Sequence, residues 1–530
     1  MKYPSRTLSL LVAGALLVSM AGCSSNTASS SASSAAASVL AAEESTLSLA
    51  GATTLTFTDS GISAAEGDYS GYAIEGTALT INAPGTYVLS GSCADGSVTI
   101  KAETEGVTLV LNGLDLTSTT TAPIVCGKST GVTIAVYGGT QNTLADTAAN
   151  DKDGTNASAD AESAVLKCKD GSQVVLCGSG TLNITAAGKN GIKSGTENEG
   201  RAASLTIREL TLNIDAPVND AINAEQSLEV ESGTLNISAG DDALHSDYTL
   251  NIGAADTAGP VITISACNEG LEGAELNIFS GTIDITAADD CMNAANGDLT
   301  DYAFSMNISG GTINAYTSGG DGFDSNGSMT ISGGNITVWT ANTADNQPLD
   351  ADGTITITGG TVLAAGGSAG MGYTIDASQG YVTYGGMGAD STVRLTNGSA
   401  FTITDASGST VYSGTALCDA NYLFYCAADL AADSEYTLAT GSTALAAATA
   451  QTGTTRATFG GMGGGTPGMT PPDAANGQTP PAMNGGTPGG QAPDGQGGTP
   501  PEKPAGSPSG TPPEMPAQNN ATSQAEIAAG

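Results

Sequence analysis

Between about Val175 and Leu363 the chain repeats itself, and that repeat limits the fold more than any other feature. One unit, Ser227 to Asp247, reads SLEVESGTLNISAGDDALHSD. It holds two short alternating segments joined by a Gly-Thr corner, then an acidic corner, then a third short apolar segment. Apolar residues at i and i+2 lie on one face of a strand. The first segments supply Leu205/Ile207, Leu228/Val230, Leu250/Ile252, Leu276/Ile278, Met306/Ile308, Met329/Ile331 and Ile355/Ile357. The second supply Leu182/Ile184, Leu212/Ile214, Leu235/Ile237, Ile262/Ile264, Ile283/Ile285, Ile313/Ala315 and Ile336/Val338. The third supply Ile192, Ile222, Leu244, Leu271, Met292, Phe323 and Leu349. Successive first segments start 23, 22, 26, 30, 23 and 26 residues apart, so insertions fall at corners. No helical periodicity of useful length lies between them. Three inward faces per repeat predict an all-β chain, a parallel β-helix of about ten coils, in which stacking buries what one coil cannot.

The charge balance narrows the partners. The chain carries 53 acidic and 14 basic residues, a net charge of −39, although only 13% of its residues are charged. Nucleic acid is excluded, because phosphate binding requires clustered Lys and Arg. A surplus of this size is ordinarily a solvated surface, but here the acids recur at equivalent corners, which favours cations.

Both ends differ from the repeat. Lys2 and Arg6 precede the apolar run Leu8 to Val18, followed by Met20-Ala21-Gly22-Cys23. This resembles a bacterial lipoprotein signal over residues 1–23, with Cys23 as the lipidated residue; Met20 stands where Leu is usual. The run is too short for an ordinary membrane span. Residues 24–50, rich in Ser and Ala, are expected to be a flexible tether. The expected location is therefore extracytoplasmic, lipid-anchored to the membrane and exposed at the cell surface. Residues 51–370 are assigned to the repeat, 371–446 to a C-terminal β segment that caps it, and 447–530 to a Gly/Pro-rich tail too poor in apolar residues to fold. Besides Cys23 there are Cys93, Cys126, Cys168, Cys177, Cys267, Cys291, Cys418 and Cys426. None forms a CxxC pair, which argues against zinc. Cys177 is placed inward, paired with Val175, as a small apolar residue. A Cys418–Cys426 disulfide is open outside the cell.

Aligning the corners gives two columns. The second corner position holds Asn190, Asp220, Asp242, Glu269, Asp290 and Asp321; the fifth holds Lys193, Asn223, His245, Glu272, Asn293 and Asp324. Strands in a sheet are spaced by about 4.8 Å. Carboxylates stacked at that spacing repel, and a calcium ion with oxygen ligands at about 2.4 Å on either side would relieve the repulsion. The alternative is that these Asp and Asn residues only bond nearby backbone at corners. Gly319-Gly-Asp-Gly-Phe-Asp324 looks locally like a calcium nonapeptide, but it does not recur every nine residues.

Several blocks then occur in one order: Ala83-Pro-Gly-Thr-Tyr-Val-Leu-Ser-Gly91, Val107 to Ser118, Gly138-Gly-Thr-Gln-Asn-Thr-Leu-Ala-Asp146, and the Gly-Thr-Leu-Asn-Ile coils ending in Gly-Asp-Asp-Ala-Leu-His. From about Leu55 to Leu438 the chain resembles the clostridial carbohydrate-binding β-helix family, whose founding member binds cellulose and pectic polymers. The resemblance implies a right-handed parallel β-helix, calcium at acidic corners, and binding of acidic plant polysaccharide without catalysis. Carried over residue by residue, it implies calcium ligands at Asp220, Asp241, Asp242, Glu269, Glu272, Asp289, Asp290, Asp321 and Asp324. Lys193 and His245 break an all-acidic column. A calcium between protein and uronate carboxylates would reverse the local sign and let an acidic chain hold polygalacturonate. A neutral glucan would want an aromatic platform; Trp339, outward of Ile336/Val338, is a weak sugar-stacking candidate or a cover for the rod.

Two further classes remain. A calcium-dependent lyase acting by β-elimination needs a base beside the metal. Lys193 is the best candidate and His245 the next, with Lys189 and Arg201 nearby. A structural surface rod or adhesin would use calcium for stiffness alone. The expected protein is a monomer that binds polysaccharide, with its membrane contact through the Cys23 lipid.

Overall fold

The computed structural model describes residues 49–65, 70–341, 346–367, 374–386 and 393–456. These residues belong to one compact unit that begins at Leu49. The lipoprotein signal, Cys23, most of the tether and residues 457–530 of the tail lie outside the described residues.

The chain is all-β. Among the described residues the helical content is a single 3-10 turn, Ala148–Asn150. Among the described residues thirty-four strands join in one hydrogen-bonded sheet, most of them in parallel. Thr, Ile, Val and Asn alternate along each strand, which suits a pleated surface with one buried face. Within each repeat the chain visits three ladders in turn. In the first, Leu205↔Leu228, Leu228↔Leu250, Leu250↔Leu276, Leu276↔Met306, Met306↔Met329 and Met329↔Ile355 stand opposite one another. The second runs Leu182↔Leu212↔Leu235↔Ile262↔Ile283↔Ile313↔Ile336↔Val362. The third runs Ile192↔Ile222↔Leu244↔Leu271↔Met292↔Phe323, with Leu349 bridged to Phe323. Register matters because a slip of one residue would turn every apolar side chain to the other face. All these side chains are buried in one continuous core. Each contributes about 1.5–3 kcal/mol on burial, so stability accumulates rung by rung.

The corner between first and second strands depends on backbone that only glycine adopts freely. Gly233, Gly281, Gly311, Gly334 and Gly360 have φ of 102°, 120°, 89°, 91° and 83°. These values lie in the left-handed region, where a Cβ is strained.

The far end is antiparallel. Thr374–Gly385 first continues the first ladder in parallel, from Thr354↔Thr374 to Ile357↔Ala377. The same stretch, Thr374–Ala377, also pairs antiparallel with Gln451–Arg456, and Tyr381–Gly385 then pairs antiparallel with Tyr422–Cys426. A separate four-stranded antiparallel sheet comprises Ala400–Asp405, Thr410–Thr415, Glu435–Thr440 and Thr443–Thr449. The expected tail start at 447 is therefore too early, since Gln451–Arg456 is a paired strand.

Three placements differ from the sequence reading. Trp339 does point away from the main core, opposite to Val338, but it is only 1% exposed. It packs against Phe401 at 6.0 Å in the core shared with the antiparallel sheet, so it cannot stack on a sugar. Cys177 is half-buried, and Val174 and Leu176 point inward instead. Leu176 stands opposite Ile134 and Ile207. Cys418 and Cys426 are both free thiols, buried in different core clusters.

Candidate functional site

The third ladder has strands of three residues or little more, with the first and third residues inward. Its middle residue faces outward by alternation. Register pairs give the outward column Lys167↔Lys193↔Asn223↔His245↔Glu272↔Asn293↔Asp324. Asp350 follows, next to Leu349, which is bridged to Phe323. The column thus passes from basic to acidic along one edge.

Three residues before each of these lies the second column. Its backbone stacks in the same way, Gly191 N–H donating to Asp220 O, Ala221 to Asp242, Ala243 to Glu269, Gly270 to Asp290, Cys291 to Asp321 and Gly322 to Gln347. Some corner bonding to backbone is present. Asp290 accepts from the Asp321 N–H at 2.6 Å, and Asp220 from the Asp242 N–H at 3.3 Å. Asp220 also accepts from Asn223 Nδ2 at 2.6 Å, and Glu269 from Asn293 Nδ2 at 3.0 Å. Asp241 and Asp289 are exposed. A Cβ on Gly320 would lie 2.4 Å from Oδ1 of both Asp289 and Asp290, so only glycine lets these carboxylates approach.

Two clusters stand out. In the first, His245 Nδ1 lies 3.0 Å from Asp242 Oδ2 and 2.5 Å from Glu272 Oε2, while Nε2 lies 3.0 Å from Asp247 Oδ1. Burial alone would lower the imidazole pKa, but hydrogen bonds to Asp242, Asp247 and Glu272 hold it up to about 12. Burial works against the Glu272 carboxylate too, yet its bond to His245 keeps it below the usual range. The bonds to Glu272 and Asp247 therefore favour the imidazolium at His245, while burial and the neighbouring Glu272 push Asp242 up to about 7. Asp242 and Glu272 come together as the sequence reading requires, and with His245 they bring three ligand atoms within 4.8 Å of one another; the imidazole nitrogen makes this set a poorer fit to calcium, which takes oxygen ligands, than an all-carboxylate one.

The second cluster has no such cation. Asp321, Asp324 and Asp350 bring one carboxylate oxygen each to within 4.8 Å of one another. Among the described residues no Lys, Arg or His forms an ion pair with them or with Asp290. Burial and the surrounding carboxylates push Asp290 and Asp321 up to about 7 and Asp324 to about 6. Burial raises Asp350 as well. Gln347 is 4% exposed and donates from Nε2 to Asp350 Oδ2 at 2.9 Å, while its buried Oε1 has no hydrogen-bond partner. Three carboxylates beside an unsatisfied carbonyl oxygen form an all-oxygen donor set, and that set fits a calcium ion. Glu269, between the clusters, is pushed up to about 8 by burial and by Glu272 and Asp242. Burial also raises Asp220.

The sequence family can now be placed on this geometry. The carbohydrate-binding domain-containing protein family matches residues 75–256 and again 257–456. The chain belongs to this family. Its second match covers both Asp321/Asp324/Asp350 and the antiparallel sheet; the first covers Lys167, Lys193 and His245. A solved structure, the polysaccharide lyase-like protein from C. thermocellum as a gadolinium derivative, is similar at 22% identity over 57% of this chain and 96% of that one, with a TM-score of 0.33. No curated protein matches the chain.

The basic residues of this family member are engaged elsewhere. Lys193 pairs with Glu225 at 3.0 Å, Lys189 with Asp153 at 2.7 Å, and Arg201 with Glu105. Asp350, Gln347 and Lys167 escaped the sequence reading. Asp350 was signalled by Leu349, the last third-segment residue. Lys167 lies one rung before the first corner aligned, and burial and Lys193 lower its pKa.

Proposed function

We propose that this protein is a surface lipoprotein that binds acidic polysaccharide, pectic in type, through calcium and without catalysis. The observation that carries the reading is the half-buried Asp321/Asp324/Asp350 cluster, which has no cation partner in a member of a carbohydrate-binding family. Calcium held there by these carboxylates and Gln347 would present a positive centre to uronate carboxylates. We take the three ladders as a right-handed parallel β-helix of about ten coils, closed by the antiparallel sheet, which covers an edge that would otherwise recruit other chains. The protein would act as a monomer, anchored through Cys23.

Lyase chemistry requires a base within reach of a metal-bound uronate. Lys193 is five rungs from Asp324 in the column, about 24 Å at the spacing of strands in a sheet. His245 is locked as a cation by three carboxylates and has no lone pair to offer. Ion pairing and distance both support binding over elimination.

The test is incubation of the full chain with polygalacturonate, with calcium or with EDTA. Pull-down and the ultraviolet absorbance of unsaturated uronates are read together. Calcium-dependent pull-down with flat absorbance is expected. Rising absorbance would make the protein a lyase, and absence of pull-down in calcium would leave a structural rod.

A further inference from the structure

The longest repeat, the thirty residues from Leu276 to Met306, contains an excursion that the ladders do not need. It leaves the third ladder after the strand Met292–Ala294 and returns at Ser305. It is anchored two rungs back, where Asn296 Nδ2 donates to the Asp247 carbonyl at 2.8 Å, and within the excursion Asp298 N–H donates to Asn296 Oδ1 at 2.9 Å. At that point the strand Leu244–Ile252 bulges, because its register with Leu271–Ile278 shifts between Ser246 and Thr249. The bulge releases Tyr248 from the ladder, 39% exposed. The excursion sets Tyr302 against it edge-on, ring centroids 6.3 Å apart and planes at 69°, and Phe304 follows at 5.5 Å. Tyr302 donates its hydroxyl to Glu275 Oε1 at 2.6 Å, which fixes the ring. Beside this group the first ladder carries Asn251, Asn277 and Asn307, linked amide to amide at 3.0 Å.

We propose that Tyr248, braced edge-on by Tyr302 with Phe304 behind it, is a stacking platform for a neutral sugar ring of a polysaccharide, with Glu275 at its rim accepting sugar hydroxyls. A sugar presents C–H groups from its ring face and hydroxyls at its edge; an aromatic ring bordered by carboxylate and amide groups matches both. The charged residues of the bulge, the excursion and the adjoining strand are Asp247, Glu272, Glu275, Asp298 and Asp301; His245 pairs with Asp247 and Glu272, and among the described residues Glu275, Asp298 and Asp301 form no ion pair. That selects against an uncomplexed uronate and against a second copy of this −39 chain. The platform is separate from the Asp321 cluster and needs no calcium. It rests on the family's carbohydrate binding and not on the calcium reading.

The test is titration calorimetry of the full chain in EDTA with neutral hexasaccharides of glucose, xylose and mannose. At least one should bind. Tyr248→Ala and Phe304→Ala should each weaken it about tenfold, with Tyr248→Trp retaining affinity. Thermal melts in EDTA should be unchanged, which separates a lost platform from a lost fold. If no neutral hexasaccharide binds in EDTA, or if Tyr248→Ala binds as tightly as the parent, the platform is wrong. Calcium-dependent capture of polygalacturonate would survive that failure. The converse result, neutral binding with no uronate capture, would leave the platform standing and remove the calcium reading.

Discussion

Two clusters three rungs apart on one edge solve the same problem differently. At His245 the chain supplies its own cation to Asp242, Glu272 and Asp247. At Asp324 it gathers Asp321 and Asp350, and among the described residues no Lys, Arg or His pairs with them. The fold imposes the stacking in both places, because outward residues of successive third strands sit at strand spacing. What differs is one side chain in the column. A resident imidazolium makes a cluster structural; its absence leaves an electrostatic cost that an exchangeable ion can remove. On the proposed reading, the difference leaves the Asp324 end of the ladder to an exchangeable ion.

The largest expected effect comes from removing the resident cation. His245→Gln leaves three carboxylates around a neutral amide. Breaking a mostly buried ion pair on one side costs about 3 kcal/mol. Denaturant unfolding in EDTA should show a loss of that order. The variant should then recover stability on adding calcium, more than the parent does, because its ring of acids becomes an oxygen site. Equal stability of parent and variant in EDTA would break the comparison.

The pH dependence of the calcium-free protein sharpens it. Asp290, Asp321, Asp324 and Glu269 have folded pKa values raised to about 7, 7, 6 and 8. Between the ordinary carboxylate range and those values the folded state holds protons that the unfolded state has released. Stability in EDTA should therefore fall as pH rises from about 4 to about 8, by about 1.4 kcal/mol per pH unit for each such proton. His245 has the same sign in a later window. Its contribution is full below the unfolded value of 6.5 and is lost as pH rises through about 12. Saturating calcium should flatten the fall between pH 4 and 8, since it binds the ionised carboxylates. Asp324→Asn should be more stable than the parent in EDTA at pH 8 and gain less from calcium. Melts across pH with and without calcium decide this, and a flat EDTA profile would sink the idea of unrelieved repulsion.

Much of this was legible because side-chain period and strand spacing are rigid geometric facts. The inward pairs from Leu205/Ile207 to Ile355/Ile357 occupy the register their alternation required. The corner columns stack as aligned. The sequence was ambiguous where alternation was. Val174-Val-Leu-Cys177 is apolar throughout, so its phase could not be read, and the pairing of Leu176 with Ile207 is what turns Cys177 away from the core. Trp339 shows a different limit: alternation correctly turned it away from the main core, but only the antiparallel sheet with Phe401 decides that it is covered. The aromatic pair Tyr248 and Tyr302 was harder still, since the two meet only because an insertion folds back over a bulge. Asp350 was hidden by the irregular chain before Leu349, which obscures the corner while the third ladder continues.

The smallest expected effect bears on catalysis. Lys193 and Glu225 form their ion pair with side chains 24% and 31% exposed. Such a pair contributes little, so Lys193→Ala should change stability by no more than about 0.5–1 kcal/mol. Capture of polygalacturonate in calcium should be unaltered, because Lys193 lies at the basic end of the column and the unpaired carboxylates lie at the other. The substitution therefore separates two meanings of one scaffold. If Lys193→Ala abolished an elimination product, the base and metal would have to meet near Asp220, on the side of His245 away from Asp324, and the carboxylates around Asp324 would revert to stiffening the rod. Retained capture with no product in either protein places the functional end where the column has no cation of its own.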